Sequence, residues 1–263
     1  MVETIWYSQS EHASSFISMA ESHCELVVTR SHGKTVVTVR GPETRATPAY
    51  GLEAAEFFGI VFQAGVFMPD FPAKTVMDRQ DLNLPEATSK SFWLNGSAWE
   101  FPGYENADSF IDRLVHDGLL VYDPVVGAVL KRQPVEMSLR TVQRRFLQAT
   151  GLTYNTMYQI NRARYAVTLL KQGTPILDTV QAAGYFDQPH LTRALKHFIG
   201  LTPAQIIDKN RPEQLSFLYK TVPFGEITMS QPKDNYEEDN RIRVPDTGWR
   251  YGSTGKMVLP VSE

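Results

Sequence analysis

The spacing of apolar residues changes character once along this chain. In roughly the first 120 residues it follows the two-residue period of strands. Glu25 to Arg30 and Lys34 to Arg40 alternate apolar and polar, and Ser31-His32-Gly33 between them supplies a turn. Phe57 to Phe67 continues the pattern, with Gly59 and Gly65 read as bulge positions. One helix interrupts it, Asn106 to Asp117, with Phe110, Ile111, Leu114 and Val115 facing inward. From Ser138 onward the period is that of helices. The pattern predicts an α+β chain: a β-rich N-terminal domain followed by an all-α domain.

In the helical region a single stretch is written twice, 49 residues apart. S-L-R-T-V-Q-R-R-F-L-Q-A-T-G-L-T runs from Ser138 to Thr153, and D-Q-P-H-L-T-R-A-L-K-H-F-I-G-L-T from Asp187 to Thr202. Ser138 meets Asp187, and both suit a helix N-cap, where a side-chain oxygen accepts from the first free backbone N–H groups. Gly151 meets Gly200, and both suit a helix end that needs positive φ. At about 100° per residue, Leu139, Val142 and Phe146 form an inward stripe in the first copy, and Leu191, Leu195 and Phe198 in the second. Arg140 and Arg144 then point outward with Gln143 beside them. In the second copy Pro189, Arg193 and Lys196 point outward, flanked by Thr192, with Gln188 at the N-terminal tip. Pro189 costs little in a first turn, where its missing amide has no helical partner.

The residues before and between the copies complete the pattern. Thr174 to Phe186 reads as a short helix capped by Thr174, opened by Pro175 and broken by Gly184, so that helix, glycine turn and helix follow in order. That is the helix-turn-helix motif, whose second helix enters the major groove of DNA. Tyr154 to Gly173 reads as one long helix with an apolar face and a basic, polar face. About 18 residues at about 1.5 Å each span about 27 Å, near the roughly 34 Å of one duplex turn. Such a rod would let both short helices face one side of a duplex.

From about Asp123 to Asp208 the chain resembles the DNA-binding domain of AraC/XylS-type bacterial transcription regulators. The segment I-L-D-T-V-Q-A-A-G-Y-F-D-Q-P-H-L-T-R-A-L-K-H-F-I-G-L-T-P-A-Q carries most of the resemblance, and V-Q-R-R-F of the first copy shares it. The resemblance implies two helix-turn-helix units joined by a linker helix and touching adjacent major-groove segments. By position it makes Arg140, Gln143 and Arg144 the base-reading candidates of the first unit, and Gln188, Thr192 and Arg193 those of the second; Lys196 is read as a phosphate contact. The first unit departs from the pattern. Its leading stretch, V-V-G-A-V-L-K-R-Q-P-V-E-M, places Pro134 near the turn and no glycine where one is expected. A truncated or altered first unit is therefore expected.

Charge narrows the picture further. From Lys131 to Arg211 there are 12 Lys and Arg against 4 Asp and Glu, a balance of +8, whereas the whole chain carries −3 and the remainder therefore −11. A basic block inside an acidic chain is where a nucleic-acid footprint would lie. Arginine can grip guanine O6 and N7, glutamine can pair with adenine, and Thr192 can pack its methyl on thymine or hydrogen bond to a base edge.

The rest excludes more than it assigns. Cys24 is the single cysteine, so no intrachain disulfide is expected, in keeping with a reducing, cytoplasmic setting. The N-terminal residues lack a basic start and an apolar run, so no signal peptide is expected. No stretch approaches a membrane span. The six histidines form no H-x-H pair, and no metal or other cofactor is expected. Phe92, Trp93, Trp99, Phe101 and Tyr104 are read as aromatic core or domain packing, with a ligand pocket as the alternative, and Asn95-Gly96-Ser97 as a turn. The β-rich half, F-F-G-I-V-F-Q-A-G-V-F above all, resembles the N-terminal domain of some family members, which implies a small-molecule effector or a partner. RNA polymerase is a further partner that the family implies. Leu215 to Val222 suggests a strand or an apolar arm, and the residues beyond Met229 a loosely ordered tail.

The expected organisation is an N-terminal domain over 1–120, a DNA-binding domain over 121–210 and a C-terminal extension over 211–263. The expected function is sequence-specific binding of double-stranded DNA in transcription regulation, without enzymatic activity. Two alternatives stay open. One is an enzyme fused to the module, such as a DNA-repair alkyl transferase using Cys24; the other is an interaction protein whose helix-turn-helix units no longer bind DNA.

Overall fold

The computed structural model describes residues 1–78 and 81–208, together with a pairing of Arg250–Tyr251 with Met257–Val258. The arm expected at Leu215 to Val222 and most of the tail lie outside the described residues. In chain order the first half contains β1 (Val2–Ser10), β2 (Ser14–Ser18), β3 (Glu25–Ser31), β4 (Lys34–Arg40), β5 (Thr47–Gly51), β6 (Ala55–Phe62), β7 (Val66–Phe67), β8 (Leu82–Leu84), β9 (Glu86–Thr88), β10 (Ser91–Leu94), β11 (Ser97–Glu100), α1 (Ala107–His116) and β12 (Val121–Tyr122). The helical half contains α2 (Pro124–Leu130), α3 (Leu139–Thr150), α4 (Tyr154–Lys171), α5 (Ile176–Ala182), α6 (Gln188–Phe198) and α7 (Pro203–Ile207).

The main sheet is antiparallel, in the order β1-β6-β3-β4-β8. The hairpin of β3 and β4 turns on His32 (φ 50°) and Gly33 (φ 76°), the two positive values that match the twist of tightly joined strands. One face of the sheet buries Leu26, Val28, Val37, Val39, Phe58 and Ile60 against α1 and the β10–β11 hairpin, whose Phe92 and Trp99 are themselves buried. Asn95 and Gly96 form the turn of that hairpin, both at positive φ. Trp93 and Tyr104 stay exposed, so only some of the aromatic run is core.

Three local expectations change. Gly59 is not a bulge, because β6 pairs in unbroken register with β3 through it. It is needed for closeness instead: a Cβ there would lie 2.1 Å from the Trp6 ring, which covers the outer face of the sheet with Val27 and Val61. Gly65 (φ 92°) lies between β6 and β7 rather than within a strand. On α1, Phe110, Ile111 and Leu114 are buried, but Val115 is 39% exposed. Residues 110, 111 and 114 already complete one helical face, and 115 falls past its edge.

The helical half is organised by α4. Its first half meets Phe146, Ala149 and Leu152, together with Val126 of α2, in one core through Met157 and Ile160. Its second half meets Val180, Leu191, Leu195 and Ile199 in another through Ala163, Ala166, Val167 and Leu170. One continuous helix therefore serves as a wall of both units. Each fully buried aliphatic side chain contributes about 1.5–3 kcal/mol relative to exposure, so neither unit can tilt on α4 without opening its own core.

The two halves are not beads on a string. The separate pair formed by β2 and β5 reaches the second unit, where Ile17 and Met19 pack on its core. The Ala20 amide donates to the Phe198 carbonyl at 2.7 Å, and the Ala46 amide to the His197 carbonyl at 2.9 Å. Those carbonyls belong to the last turn of α6, which has no amides of its own left to serve them; the N-terminal domain caps the helix from outside. The end of α3 is met in a parallel way. A Cβ on Gly151 (φ 72°) would lie 3.1 Å from Ala73, in the short 3-10 turn Ala73–Thr75. At Gly200 (φ 84°) it would lie 2.8 Å from Ile17 and 3.2 Å from Ala46. The repeated glycines therefore end their helices and also admit the N-terminal domain to both ends.

Replacing Gly200 by alanine combines a disfavoured left-handed backbone with overpacking against Ile17. A loss of about 1–3 kcal/mol is expected from such insertions. Urea unfolding measures it; an unchanged midpoint would mean that the Ile17 contact yields freely.

Candidate nucleic-acid interface

Each recognition-type helix is set by its ends. In α3 the Ser138 hydroxyl accepts from the Thr141 amide at 3.3 Å, and Gly151 ends the helix in the left-handed conformation. In α6 the Asp187 carboxylate accepts from the His190 amide at 2.7 Å, and Pro189 occupies the first turn. The caps expected from the repeat are present in both copies. Thr174 is not a cap: Pro175 holds the N-cap position of α5 and no side chain serves the free amides there.

The turns before the two helices differ. Between α5 and α6, Gly184 has φ 67° and the connection is short. Between α2 and α3 the connection is longer, and Arg132 (φ 55°) takes a left-handed conformation in the absence of a glycine. Pro134 lies beyond it, in the approach to Ser138. The first unit is altered rather than truncated, since α2 is present in front of the turn.

Arg140 and Arg144 are exposed on α3, and Gln143 is half-buried between them. On α6 Gln188, Arg193 and Lys196 are exposed and Thr192 is half-buried. Among the described residues, Arg140, Arg144, Arg193 and Lys196 form no ion pair with the protein. Leu147, 41% exposed, continues the outward stripe of Arg140 and Arg144 at helical spacing.

Other cations of the basic block are used inside the molecule. Arg145, next to Arg144, turns inward and grips Asp123 with two bonds of 2.8 Å. Asp123 also caps α2 through the Val125 amide, so the pair ties the two helices of the first unit together. Arg162 is buried in the middle of α4. It donates to the Ala183 carbonyl at 2.8 Å and to that of Gly184, and its guanidinium lies 3.8 Å from the centre of the Tyr185 ring. The turn of the second unit is thus held from behind. Burial first of all pushes the Tyr185 hydroxyl up to about 12. Periodicity did not single out Arg162; an arginine flanked by the inward positions Ile160 and Ala163 was the available signal.

The expected basic face of α4 is likewise occupied. Arg164 pairs with Glu21 at 2.9 Å and donates to the Ala20 carbonyl at 3.1 Å. Asn161 receives the Ser22 hydroxyl at 3.0 Å. Behind Glu21, His23 lies between two carboxylates, 2.7 Å from Glu21 and 3.0 Å from Glu3. Burial works against charge on both partners, but the surroundings win. Arg164, then His23, hold Glu21 down at about 2; hydrogen bonds to Glu21 and Glu3 hold His23 up at about 10. Both ring nitrogens face acceptors, as the imidazolium requires. This network joins β1, the segment before β3 and the linker helix.

Cys24, beside that network, is not prepared for nucleophilic chemistry. Burial, then the Glu25 charge, push its thiol up to about 12, and the thiolate is the reactive form. Among the described residues no group of three or more His, Cys, Asp or Glu gathers to hold a metal ion. No helix among them is long and apolar enough to cross a membrane.

Residues 133–209 match the family model described as a helix-turn-helix domain. Among solved structures, that of ToxT from Vibrio cholerae aligns with 78% of this chain and 96% of its own, at 9% identity and a TM-score of 0.36. No curated protein matches the chain.

The Glu3–His23–Glu21–Arg164 network makes domain docking dependent on pH. The raised His23 stabilises fully below pH 6.5, its unfolded value, and this contribution fades as pH rises towards 10. The lowered Glu21 stabilises fully above pH 4.5 and fades as pH falls towards 2. Stability from these two groups should therefore be greatest between pH 4.5 and 6.5. On the alkaline side it should fall by at most about 1.4 kcal/mol per pH unit for His23. Urea midpoints from about pH 5 to about pH 9 should show this limb flattened in His23→Gln; an identical slope in that variant would contradict the assignment.

Proposed function

We propose that this chain, whose residues 133–209 match a helix-turn-helix domain, is a DNA-binding transcription regulator of the AraC type that reads double-stranded DNA through α3 and α6 in adjacent major-groove segments. The observation that carries the reading is the division of labour among the cations. Arg145, Arg162 and Arg164 are consumed in holding the helices, whereas Arg140, Arg144, Arg193 and Lys196 are left facing solvent on the two repeated helices. Guanidinium groups with no intramolecular carboxylate are available for guanine edges and phosphates.

In this reading Arg140, Gln143 and Arg144 serve one groove segment, and Gln188, Thr192 and Arg193 the next. Lys196, a turn further from the tip of α6, meets phosphate. The 18-residue α4 sets the distance between the two segments, and the N-terminal domain fixes their relative orientation by holding both helix ends.

Selection from a random duplex library with the full chain, followed by mobility shifts over a salt series, tests the whole. A steep salt slope and an enriched sequence are expected; no shift at any salt concentration would favour an interaction protein that has lost DNA. Arg193→Ala should lose about 1–3 kcal/mol on the enriched sequence and relax selection at the base it reads. Equal losses on enriched and random DNA would instead place Arg193 on phosphate. Lys196→Ala should weaken both kinds of DNA alike and lower the salt slope by about 1; an effect confined to the enriched sequence would contradict a phosphate role.

A further inference from the structure

Phe186 is the most exposed of the large apolar residues recorded for the helical half, at 79%. A flexible loop tip would explain such exposure, but this position is pinned on both sides. Tyr185 before it is buried, stacked under Arg162 and edge-on to His190 with ring centres 5.1 Å apart. Asp187 after it is the N-cap of α6. The peptide of Phe186 is therefore held while its ring stands in water.

The usual intramolecular use of an apolar residue here is also declined. A hydrophobic side chain just before an N-cap commonly packs on the fourth residue of the helix as a staple. That residue is Leu191, which is fully buried without it. Covering a phenylalanine is worth about 1.5–3 kcal/mol, so the chain leaves a large apolar contact unmade at one defined place. The place is the leading end of α6. Gln188 and Pro189 beside it are exposed, and Arg193 and Lys196 stand exposed further along the same helix.

The geometry points to Phe186 as a further specificity-determining residue, one that reads the C5-methyl of a thymine at the edge of the α6 segment. This rests on the proposed docking of α6, in which the N-terminal residues of the helix approach the base edges. A phenyl ring there offers neither donor nor acceptor. The apolar feature of the major groove is the thymine methyl, which meets side chains by contact alone. Phe186 thus adds an apolar reading to the polar readings of Gln188 and Arg193.

The test uses the full chain and the duplex enriched in library selection, with each thymine in turn replaced by deoxyuridine, which removes only the methyl. For the wild type, one replacement beside the positions governed by Arg193 should weaken binding about fourfold, the worth of one buried methyl group. Phe186→Ser should bind the thymine and uracil duplexes equally, at the level of the wild type on uracil, with an unchanged thermal midpoint because the ring is exposed. Wild-type indifference to every replacement, or undiminished discrimination in Phe186→Ser, overturns the assignment. If Arg193→Ala still alters selection in that case, only the role of Phe186 fails; if the wild type enriches no sequence, the DNA reading fails with it.

Discussion

The arrangement depends on the docking of the N-terminal domain onto the ends of α3 and α6. Helix C-termini leave carbonyls without partners, and a buried carbonyl without a partner is costly. In α6 two of these carbonyls, those of His197 and Phe198, are satisfied by the Ala46 and Ala20 amides of the other half. Separating the halves would expose Ile17 and Met19, leave both carbonyls to water and break the Glu21–Arg164 pair at once. These losses fall together, so the docked form should come apart as a unit rather than fray.

The same docking explains why glycine recurs where it does. Gly151 and Gly200 end equivalent helices at positive φ, but asparagine can also adopt that conformation. The close approaches of Ala73 to Gly151 and of Ile17 to Gly200 give a second reason, since any Cβ at either position would crowd the neighbouring domain. The helix signal and the domain contact thus coincide in one residue type at two places.

Much of the helical half was legible because its signals are local. Ser138 and Asp187 cap over a span of three residues, and the stripes of Val142 and Phe146 or of Leu191 and Leu195 recur within two turns. The β3–β4 hairpin was legible for the same reason, through His32 and Gly33. What spacing could not show were pairings over long separations. β1 against β6, Ser22 with Asn161 and Glu21 with Arg164 are of this kind; the last two join residues about 140 positions apart. Arg164 was therefore read only as part of a basic, polar face, whereas it closes an interface. Val115 and Thr174 failed differently: Val115 falls just past the buried face of α1, and the N-cap of α5 falls one position later than Thr174.

Those long-range pairings also change what the charge block means. A balance of +8 over the helical region suggests a broad electrostatic footprint, yet partners remove Arg145, Arg162 and Arg164 from it. Their positive charges add little directed attraction at the surface because a carboxylate or the protein interior holds each guanidinium. Arg140, Arg144, Arg193 and Lys196 remain outward on the two repeated helices, the ones proposed to enter the groove. The residues before Lys131, with 17 Asp and Glu against 8 Lys and Arg, carry −9 and strengthen this selectivity. That charge repels a polyanion from the N-terminal half, so approach by the helical half is favoured.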